Sequence, residues 1–473
     1  MKNDMTNQKI NKLKRWWMSE EIHKSEWIFM IFIGVLTLVM FRYADLESFT
    51  GWSVNFWDTL FAGNISDFYG YSAQNAIGVP SIYCGSSIFP ILVLAICNFP
   101  IWLAKTFAGC NLMTSFGAML YAKMVLVAFF VGTLAISTKI CKKIGMTKQD
   151  ILYMIFLSSS SLFVYSALGY CGQNDIVDIF FCMLAIYSLL KKQNGLFIFL
   201  MAVSIAFKPF TLFIFLPILM LVEKNIFKII VKTVITMSFS AFWYVIYFNQ
   251  DSFWVSMHKN SNEGLLKGMV ESTTFAVSLG TISLFFFSYI IILFVCYITQ
   301  HKNEEELIKN ICYYSFAAMC SYFMFCGFEP YRIIMLFPFM YILIGLNKEI
   351  RLLNIILEFF INIAYFIFAT YTFFWCYSSN RMDHMLITKI FGTNIQYDAS
   401  YKTIYDMFGL GNVLTILNTI FFVAMAIILF INHPKSKIQI NTNYKYVSRS
   451  LFWLRSFIII PFLLLSILLY YYK

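Results

Sequence analysis

Long apolar runs separated by short polar links make up most of the chain, and the first run covers residues 27–43. A helix needs roughly 17–25 residues to cross a hydrocarbon core of about 30 Å. The runs reach this length and carry no charge over most of it. The pattern therefore predicts an all-α polytopic membrane protein with almost no soluble portion.

Composition supports the same class of protein. Hydrophobic residues make up 60% of the chain and charged residues 12%, whereas soluble domains carry about 25% charged residues. The net charge of +11 does not indicate a nucleic-acid partner, because lysines and arginines collect in the short links where membrane topology places them. The eleven cysteines include no CxxC pair, and most lie in apolar runs, so we expect neither a disulfide framework nor a zinc site.

The basic links set the predicted orientation. Loops rich in lysine and arginine stay in the cytoplasm, which leaves the other polar segments on the outer face. The predicted cytoplasmic links contain Lys139, Lys142, Lys143 and Lys148; Lys191 and Lys192; Lys224, Lys228 and Lys232; Lys348 and Arg351; and Lys435 and Lys437. The predicted outer segments are 44–87, 172–175, the break at Lys208 and Pro209, 249–271, 329–332 and 378–411.

One apolar segment, 88–104, conflicts with this orientation, since a full crossing would move the Lys139 link outside. Pro90 and Pro100 interrupt it, and a proline inside a helix removes a hydrogen bond and kinks the chain. We therefore expect a re-entrant or juxtamembrane helix in the first external loop. About thirteen crossings result, with the N-terminus in the cytoplasm and the C-terminus outside. The predicted organisation is a basic N-terminus 1–26, a transmembrane module 27–346 and C-terminal transmembrane helices 347–473.

Acidic residues gather on the predicted outer face. Asp45 follows the first apolar run, where partial desolvation suits a carboxylate to act as a base toward a hydroxyl. An interfacial acid that keeps the loop outside is the alternative interpretation. The sequence GQNDIVD places Gln173 and Asp175 in a short turn and Asp178 one helical turn into the next run. An ionisable residue in a membrane helix usually faces a cavity.

Two cations accompany these acids. Lys208 lies between strongly apolar segments, and its ammonium either pairs with a phosphate or extends to the interface. Arg332 in the run EPYR either grips a phosphate through two hydrogen bonds or pairs with Glu329. The five histidines are scattered, so we do not expect a metal site built from them. Asp45 and Asp58 can share a divalent cation if the first external loop brings them together, and no other cofactor is expected.

The stretch 171–219 resembles part of a known family. It contains a GQND turn, an apolar helix, a dilysine, and a helix that ends at Lys208 before a proline-bounded run. This order and spacing resemble those of the bacterial Gpi18-related mannosyltransferases, a branch of the GT-C superfamily of polytopic membrane glycosyltransferases. Gln173, Asp175 and Lys208 take the family positions.

Weaker similarities extend the resemblance over residues 40–345. They are Asp45 followed by Trp52, Lys123 at the start of a crossing, and the run EPYR, which supplies Glu329, Tyr331 and Arg332. The family often has a histidine at the start of the EPYR run. This chain lacks it, so no role of that histidine is carried over.

The resemblance implies a GT-C-like bundle that transfers a sugar, with inversion, from a polyprenyl-phosphate donor to a glycan or lipid-linked acceptor on the outer face of the cell membrane. Asp45 would be the catalytic base, and Lys208 and Arg332 would hold the departing phosphate. The further candidates for substrate binding are Asp58, Gln173, Asp175, Asp178, Glu329 and Tyr331. The expected partners are membrane lipid, the lipid-linked donor and a saccharide acceptor.

Two other functions stay open. A transporter or flippase of lipid-linked saccharides would also place charges within the membrane, but many transporters contain inverted repeats, and we detect none in this sequence. A polymerase or ligase of lipid-linked glycans would have a larger external loop than this chain offers.

Overall fold

The computed structural model describes residues 22–42, 44–75, 84, 86–111, 115–260, 273–278, 280–327, 329–377, 382, 390, 400–435 and 449–471. Most of the predicted segment 1–26, the end of the predicted loop 249–271, most of the predicted loop 378–411, and Lys437 lie outside these residues.

The described chain is built almost entirely from helices. They are α1 Lys24–Met40, α2 Ala44–Phe61, α3 Phe68–Gln74, α4 Ile88–Cys97, α5 Phe99–Ala108, α6 Phe116–Lys143, α7 Lys148–Ser159, α8 Leu162–Val164, α9 Asp175–Leu190, α10 Asn194–Phe207, α11 Leu212–Val222, α12 Ile226–Val245, α13 Asp251–Asn260, α14 Leu284–Ile298, α15 Glu304–Phe325, α16 Phe337–Leu346, α17 Arg351–Thr372, α18 Tyr401–Met407, α19 Leu414–Ile431, α20 Arg449–Phe457 and α21 Ile459–Tyr471. Shorter helical turns are a π-helix at Tyr165–Tyr170 and 3₁₀ turns at Ile65–Asp67, Pro209–Thr211, Pro330–Leu336, Lys348–Ile350, Phe374–Cys376 and Leu410–Val413.

One short hairpin interrupts the helical pattern. Strand β1, Thr274–Val277, pairs antiparallel with β2, Gly280–Ser283. Almost all of its described side chains are exposed, so it does not contribute to the core. Within the described residues this small hairpin leaves the predicted all-α class unchanged.

Helices long and apolar enough to cross a membrane confirm the predicted class of protein. In the described part of the chain, five helices meet this criterion by length and composition, and seven do so if each of two bent pairs forms one span. The five are Phe116–Lys143, Ile226–Val245, Lys348–Thr372, Leu410–Ile431 and Arg449–Leu469. The fold is that of an all-α, multi-pass membrane protein, and the count of thirteen spans stays a prediction.

The predicted external link 44–87 contains a helix that its polar sequence did not predict. Helix α2 begins shortly after α1 and runs for 18 residues. Leu46, Thr50 and Val54 recur at helical spacing and are all buried, so one face of α2 packs on the core. The interpretation of this part of the link as a loop is therefore wrong.

The predicted re-entrant segment is a broken helix. Helices α4 and α5 meet at Asn98 and are bent by 67°. Trp57 on α2 donates a hydrogen bond from Nε1 to the carbonyl of Ala95 at 2.8 Å, so the break rests against α2. The bend fits the predicted irregular helix, and the path of this segment through the membrane stays a prediction.

Helices α9 and α10 form a hairpin that brings a carboxylate and a lysine together. The helices have 16 and 14 residues. Because they are nearly equal in length, the start of α9 and the end of α10 lie next to each other. Lys191 and Lys192 turn the chain at one end, while Asp175 and Lys208 meet at the other, with Oδ1 and Nζ 3.1 Å apart. The predicted turn at 172–175 and the predicted break at Lys208 are both confirmed.

Several basic links lie together at one end of this hairpin, which we call the basic end. Lys143 donates from Nζ to the carbonyl of Leu190, the last residue of α9, at 2.7 Å. Lys348 and Arg351 pair with Asp150 at the start of α7, at 2.7 and 2.5 Å. Helix α9 is about 24 Å long at 1.5 Å per residue. The other end of the hairpin, which we call the opposite end, therefore lies across the bundle.

A buried lysine joins three segments near the opposite end. The Lys123 ammonium on α6 donates to the carbonyls of Leu38 at 3.0 Å, Gly169 at 2.7 Å and Phe41. The last turn of a helix leaves carbonyls without partners, and lipid supplies no donor. Lys123 therefore satisfies the end of α1 and ties it to the π-helix Tyr165–Tyr170.

Two ion pairs hold the C-terminal helices against the rest of the bundle. Arg455 donates from Nε to Glu358 Oε2 at 2.9 Å and from Nη2 to the carbonyl of Leu157 at 2.9 Å. Arg449 pairs with Glu26 on α1. All four charged side chains are buried. The described C-terminal helices thus share one core with α1 and α7.

Lys123→Met should lower the free energy of unfolding by about 3 kcal/mol or more, because each buried acceptor left without a partner costs about 1–3 kcal/mol. Thermal and denaturant unfolding of the purified protein measure the loss. Lys139→Met is the matched control, since Lys139 lies on the same helix and is exposed. Equal losses in the two variants would contradict the structural role of Lys123.

Candidate active site

A tight turn before α9 positions Gln173 against Asp45. Gly172 has a φ of +59°, and a Cβ there would lie 3.3 Å from the Leu46 side chain. Glycine adopts this left-handed conformation without strain. Gln173 reaches α2 from this turn, and its Nε2 donates to Asp45 Oδ2 at 2.6 Å. Asp45 lies in the first turn of α2 and is partly exposed, and the Gln173 amide orients its carboxylate.

Asp175 and Lys208 form a partly buried ion pair. Asp175 is 1% exposed, and the Lys208 side chain is 19% exposed. Lys208 has an extended backbone, because the following Pro209 disfavours the helical conformation. Asp175 Oδ2 has no hydrogen-bond partner among the described residues. Part of the ammonium is therefore available to a ligand, whereas the second carboxylate oxygen is buried.

Asp178 lies one turn further along α9 and is fully buried. Its Oδ2 accepts a hydrogen bond from Thr211 Oγ1 at 3.1 Å, and its backbone carbonyl accepts one from Ser204 Oγ at 2.8 Å. Its Oδ1 has no partner within the part of the chain that the structure describes. Asp178 thus fastens the turn Pro209–Thr211 to α9 and helps to fix the position of Lys208.

The turn after α15 brings Glu329 and Arg332 to the opposite end. The Glu329 carbonyl accepts a hydrogen bond from the Arg332 amide at 3.0 Å. The guanidinium carbon of Arg332 lies 4.8 Å from the centre of the Phe210 ring, which is a cation–π geometry. Because Phe210 follows Lys208 by two residues, this contact brings the two cations into one neighbourhood.

The charged groups of the opposite end act on one another. Burial raises the pKa of the Glu329 carboxyl; Arg332 opposes this change, whereas Asp45 and Asp175 add to it. Glu329 therefore keeps its proton to a higher pH than an isolated glutamate. The buried Tyr331 hydroxyl also interacts electrostatically with the charged side chains of this end, which are Asp45, Asp175, Glu329 and Arg332.

A cavity of about 220 Å³ opens beside Lys208 and Arg332. The rest of its lining comes mainly from apolar residues of α10, α11 and α12. Met237 and Tyr244 on α12 line it and are exposed, as is most of that helix. An exposed apolar helix of a membrane protein faces lipid. The cavity therefore combines two cations with a wall at the lipid-facing surface.

Asp58 does not join this cluster. It lies near the other end of α2, about 20 Å from Asp45 along the helix axis. Its carboxylate pairs with Lys105 Nζ at 2.6 Å and accepts from Trp102 Nε1 at 2.9 Å. The hypothesis that Asp45 and Asp58 share a cation is therefore wrong, because a continuous helix separates them. Among the described residues, no group of three or more His, Cys, Asp or Glu side chains is placed to hold a metal ion.

Several residues of the opposite end were not predicted. Thr211 bonds Asp178, Phe210 packs on Arg332, and Tyr322 lies against the Arg332 guanidinium. The only sequence signal for Thr211 is a hydroxyl within an apolar run directly after Lys208. The aromatic residues carry no such signal, because the chain contains 53 phenylalanines and 29 tyrosines.

Comparisons with known proteins give no family assignment. No protein-family model, no curated protein and no solved structure matches the chain. The interpretation of the site therefore depends on its own residues and geometry.

Lys208→Met should lower the free energy of unfolding by about 3 kcal/mol, because it leaves the buried Asp175 carboxylate without its counterion. The double variant Asp175→Asn with Lys208→Met should recover most of this stability, since the uncompensated charge is removed. Thermal unfolding of both variants measures the difference. An undiminished loss in the double variant would mean that Lys208 stabilises the fold through another contact.

Proposed function

We propose that the chain is a GT-C-like glycosyltransferase that moves a sugar from a polyprenyl-phosphate donor to a glycan or lipid-linked acceptor. One observation carries the proposal: Lys208 and Arg332 line a largely apolar cavity at the lipid-facing surface, in the same cluster of charges as Asp45. A long apolar chain with a phosphate head has the chemistry that matches this cavity.

The donor phosphate binds between Lys208 and Arg332. Ammonium and guanidinium groups form strong charge-assisted hydrogen bonds with phosphate oxygens, and Arg332 Nε has no partner among the described residues. The prenyl chain lies along the α12 side of the cavity. As the bond between the anomeric carbon and the phosphate oxygen breaks, the two cations stabilise the charge that develops on the phosphate.

Asp45 acts as the general base. Its carboxylate takes the proton from the acceptor hydroxyl while the acceptor oxygen forms a bond to the anomeric carbon. The electron pair of the breaking bond leaves with the phosphate, so a single displacement inverts the anomeric centre. Gln173, which donates to Asp45 Oδ2 at 2.6 Å, keeps the carboxylate in one orientation.

The neighbouring residues position these groups. Asp175 holds the Lys208 ammonium at 3.1 Å, and Asp178 holds the turn that follows Lys208 through Thr211. Both acids are buried, so in this proposal they hold these groups in place and do not contact the sugar. Glu329 and Tyr331 lie within electrostatic reach of Asp45.

We also propose the orientation of this bundle in the cell membrane. The basic end faces the cytoplasm, as lysine-rich links generally do, which puts the N-terminus inside and the opposite end outside. The bundle has about thirteen spans in this proposal, including helices shorter than a standard crossing. Four such short apolar helices support it: Asn194–Phe207, Pro209–Val222, Leu284–Ile298 and Pro330–Leu346. The segment 88–108 is re-entrant.

Asp45→Asn should reduce sugar transfer about 100-fold or more, because a positioned general base contributes about 10²–10⁴ in rate. The assay uses purified protein in lipid vesicles and a panel of polyprenyl-phosphate sugars. Asp67→Asn is the matched control, since Asp67 is an exposed acid beyond the end of α2, and it should retain activity.

Two results would contradict this assignment. Full transfer activity in a folded Asp45→Asn variant would remove Asp45 from the mechanism. Movement of intact lipid-linked saccharides across the vesicle membrane, without transfer of the sugar, would indicate a transporter instead.

A cysteine placed at the exposed position Thr106 should react from outside the cell with a membrane-impermeant maleimide. The background carries Cys97→Ser and Cys110→Ser, because both native thiols are partly exposed. Gln193→Cys in the turn at the basic end is the control and should stay protected until the cells are opened. Labelling of position 106 only after the cells are opened, as for the control, would mean that segment 88–108 crosses the membrane.

A further inference from the structure

Two cysteines distant in sequence meet at the opposite end. Cys171 directly precedes the Gly172 turn, and Cys376 ends the 3₁₀ turn Phe374–Cys376. Both side chains are essentially inaccessible, with exposures of 0%. Their thiols lie close enough to interact electrostatically.

The segments that carry these thiols are fixed against each other by further contacts. The Ser166 and Tyr377 hydroxyls form a hydrogen bond, and the Tyr170 and Tyr377 rings lie 5.7 Å apart. Each cysteine amide also bonds a carbonyl within its own turn, at 3.0 Å for Cys171 and 2.9 Å for Cys376. These contacts hold the two segments, and with them the two cysteines, next to each other.

We infer that Cys171 and Cys376 are a site of covalent modification, at which the protein forms an intramolecular disulfide bond. The inference rests on the proposed orientation, in which the opposite end faces the outside, where disulfides form and persist. An S–S bond replaces the two S–H bonds. The two protons and two electrons go to the disulfide of an external thiol–disulfide oxidant, which is reduced to two thiols by exchange through a mixed disulfide.

Because both cysteines are buried in the folded protein, the exchange has to take place during folding. A thiol enclosed in the folded protein is inert toward external oxidants and reductants. The bond therefore forms before the turn Phe374–Cys376 packs against the π-helix, and it resists reduction afterwards. Once formed, it ties the turn that carries Gln173 and Asp175 to the end of α17.

A second pair of buried thiols provides an internal control. Cys141 and Cys312 lie close enough for their charges to interact, and both are buried. Cys141 is near the Lys143 end of α6, so this pair belongs to the basic half of the bundle. The cytoplasm keeps thiols reduced, and this pair should remain a dithiol.

Peptide mapping tests the inference directly. Membranes are quenched with N-ethylmaleimide during denaturation, and the purified full-length chain is digested and analysed by mass spectrometry without a reductant. We expect most of the protein to yield a peptide that links Cys171 to Cys376, and both Cys141 and Cys312 to be alkylated. Complete alkylation of Cys171 and Cys376 before reduction would overturn the inference, as would equal linkage in both pairs.

Serine variants provide a second, independent measurement. Cys171→Ser, Cys376→Ser and the double variant should show the same lowered unfolding temperature, because each removes the same bond. Reductant present during unfolding should lower the unfolding temperature of the wild type but not of the variants. The inference would be overturned if the decreases in unfolding temperature of the two single variants added up in the double variant and the reductant did not change the unfolding temperature of the wild type. Neither measurement uses sugar transfer, so a failure here is distinct from a failure of the proposed activity.

Discussion

The buried ammonium of Lys123 is the interaction on which the arrangement of the opposite end depends. It bonds the carbonyls of Leu38, Phe41 and Gly169, so one side chain joins α6, the end of α1 and the π-helix. Those carbonyls have no donor in lipid. Asp45 comes shortly after the first two, and Gln173 shortly after the third. The hydrogen bond between Asp45 and Gln173 therefore requires that Lys123 hold both segments.

Buried charges in this bundle serve two different purposes. The Glu358 and Arg455 pair is enclosed, and its bonds reach Leu157 and Tyr341 as well as each other, which is typical of a structural ion pair. The pair of Asp175 and Lys208 is different, because Asp175 Oδ2 has no partner among the described residues and the lysine stays partly exposed. Incomplete pairing beside a cavity indicates a place for a ligand.

The two aspartates of α2, Asp45 and Asp58, have different surroundings in the structure, which the amino-acid composition does not indicate. Asp45 meets Gln173, whereas Asp58 pairs with Lys105 at the far end of the same helix. A helix advances about 1.5 Å per residue, so acids of one helix that are more than a few turns apart cannot share a small ligand. The site is thus assembled from residues of different helices, and the cations that complete it come from the turns after α10 and α15.

The sequence alone determined the membrane class, the turn at 172–175 and the break at Lys208, and it marked Asp45, Asp175 and Arg332 as unusual charges. These features are local, because the length of an apolar run and a charge inside it are visible in any short stretch. Only the tertiary structure decided that 44–61 is a helix, that Lys123 binds three carbonyls, and that Cys171 meets Cys376. Such contacts depend on which helices pack together. The sequence hardly indicates the packing partner of a helix, because most of the helices present apolar side chains of similar size.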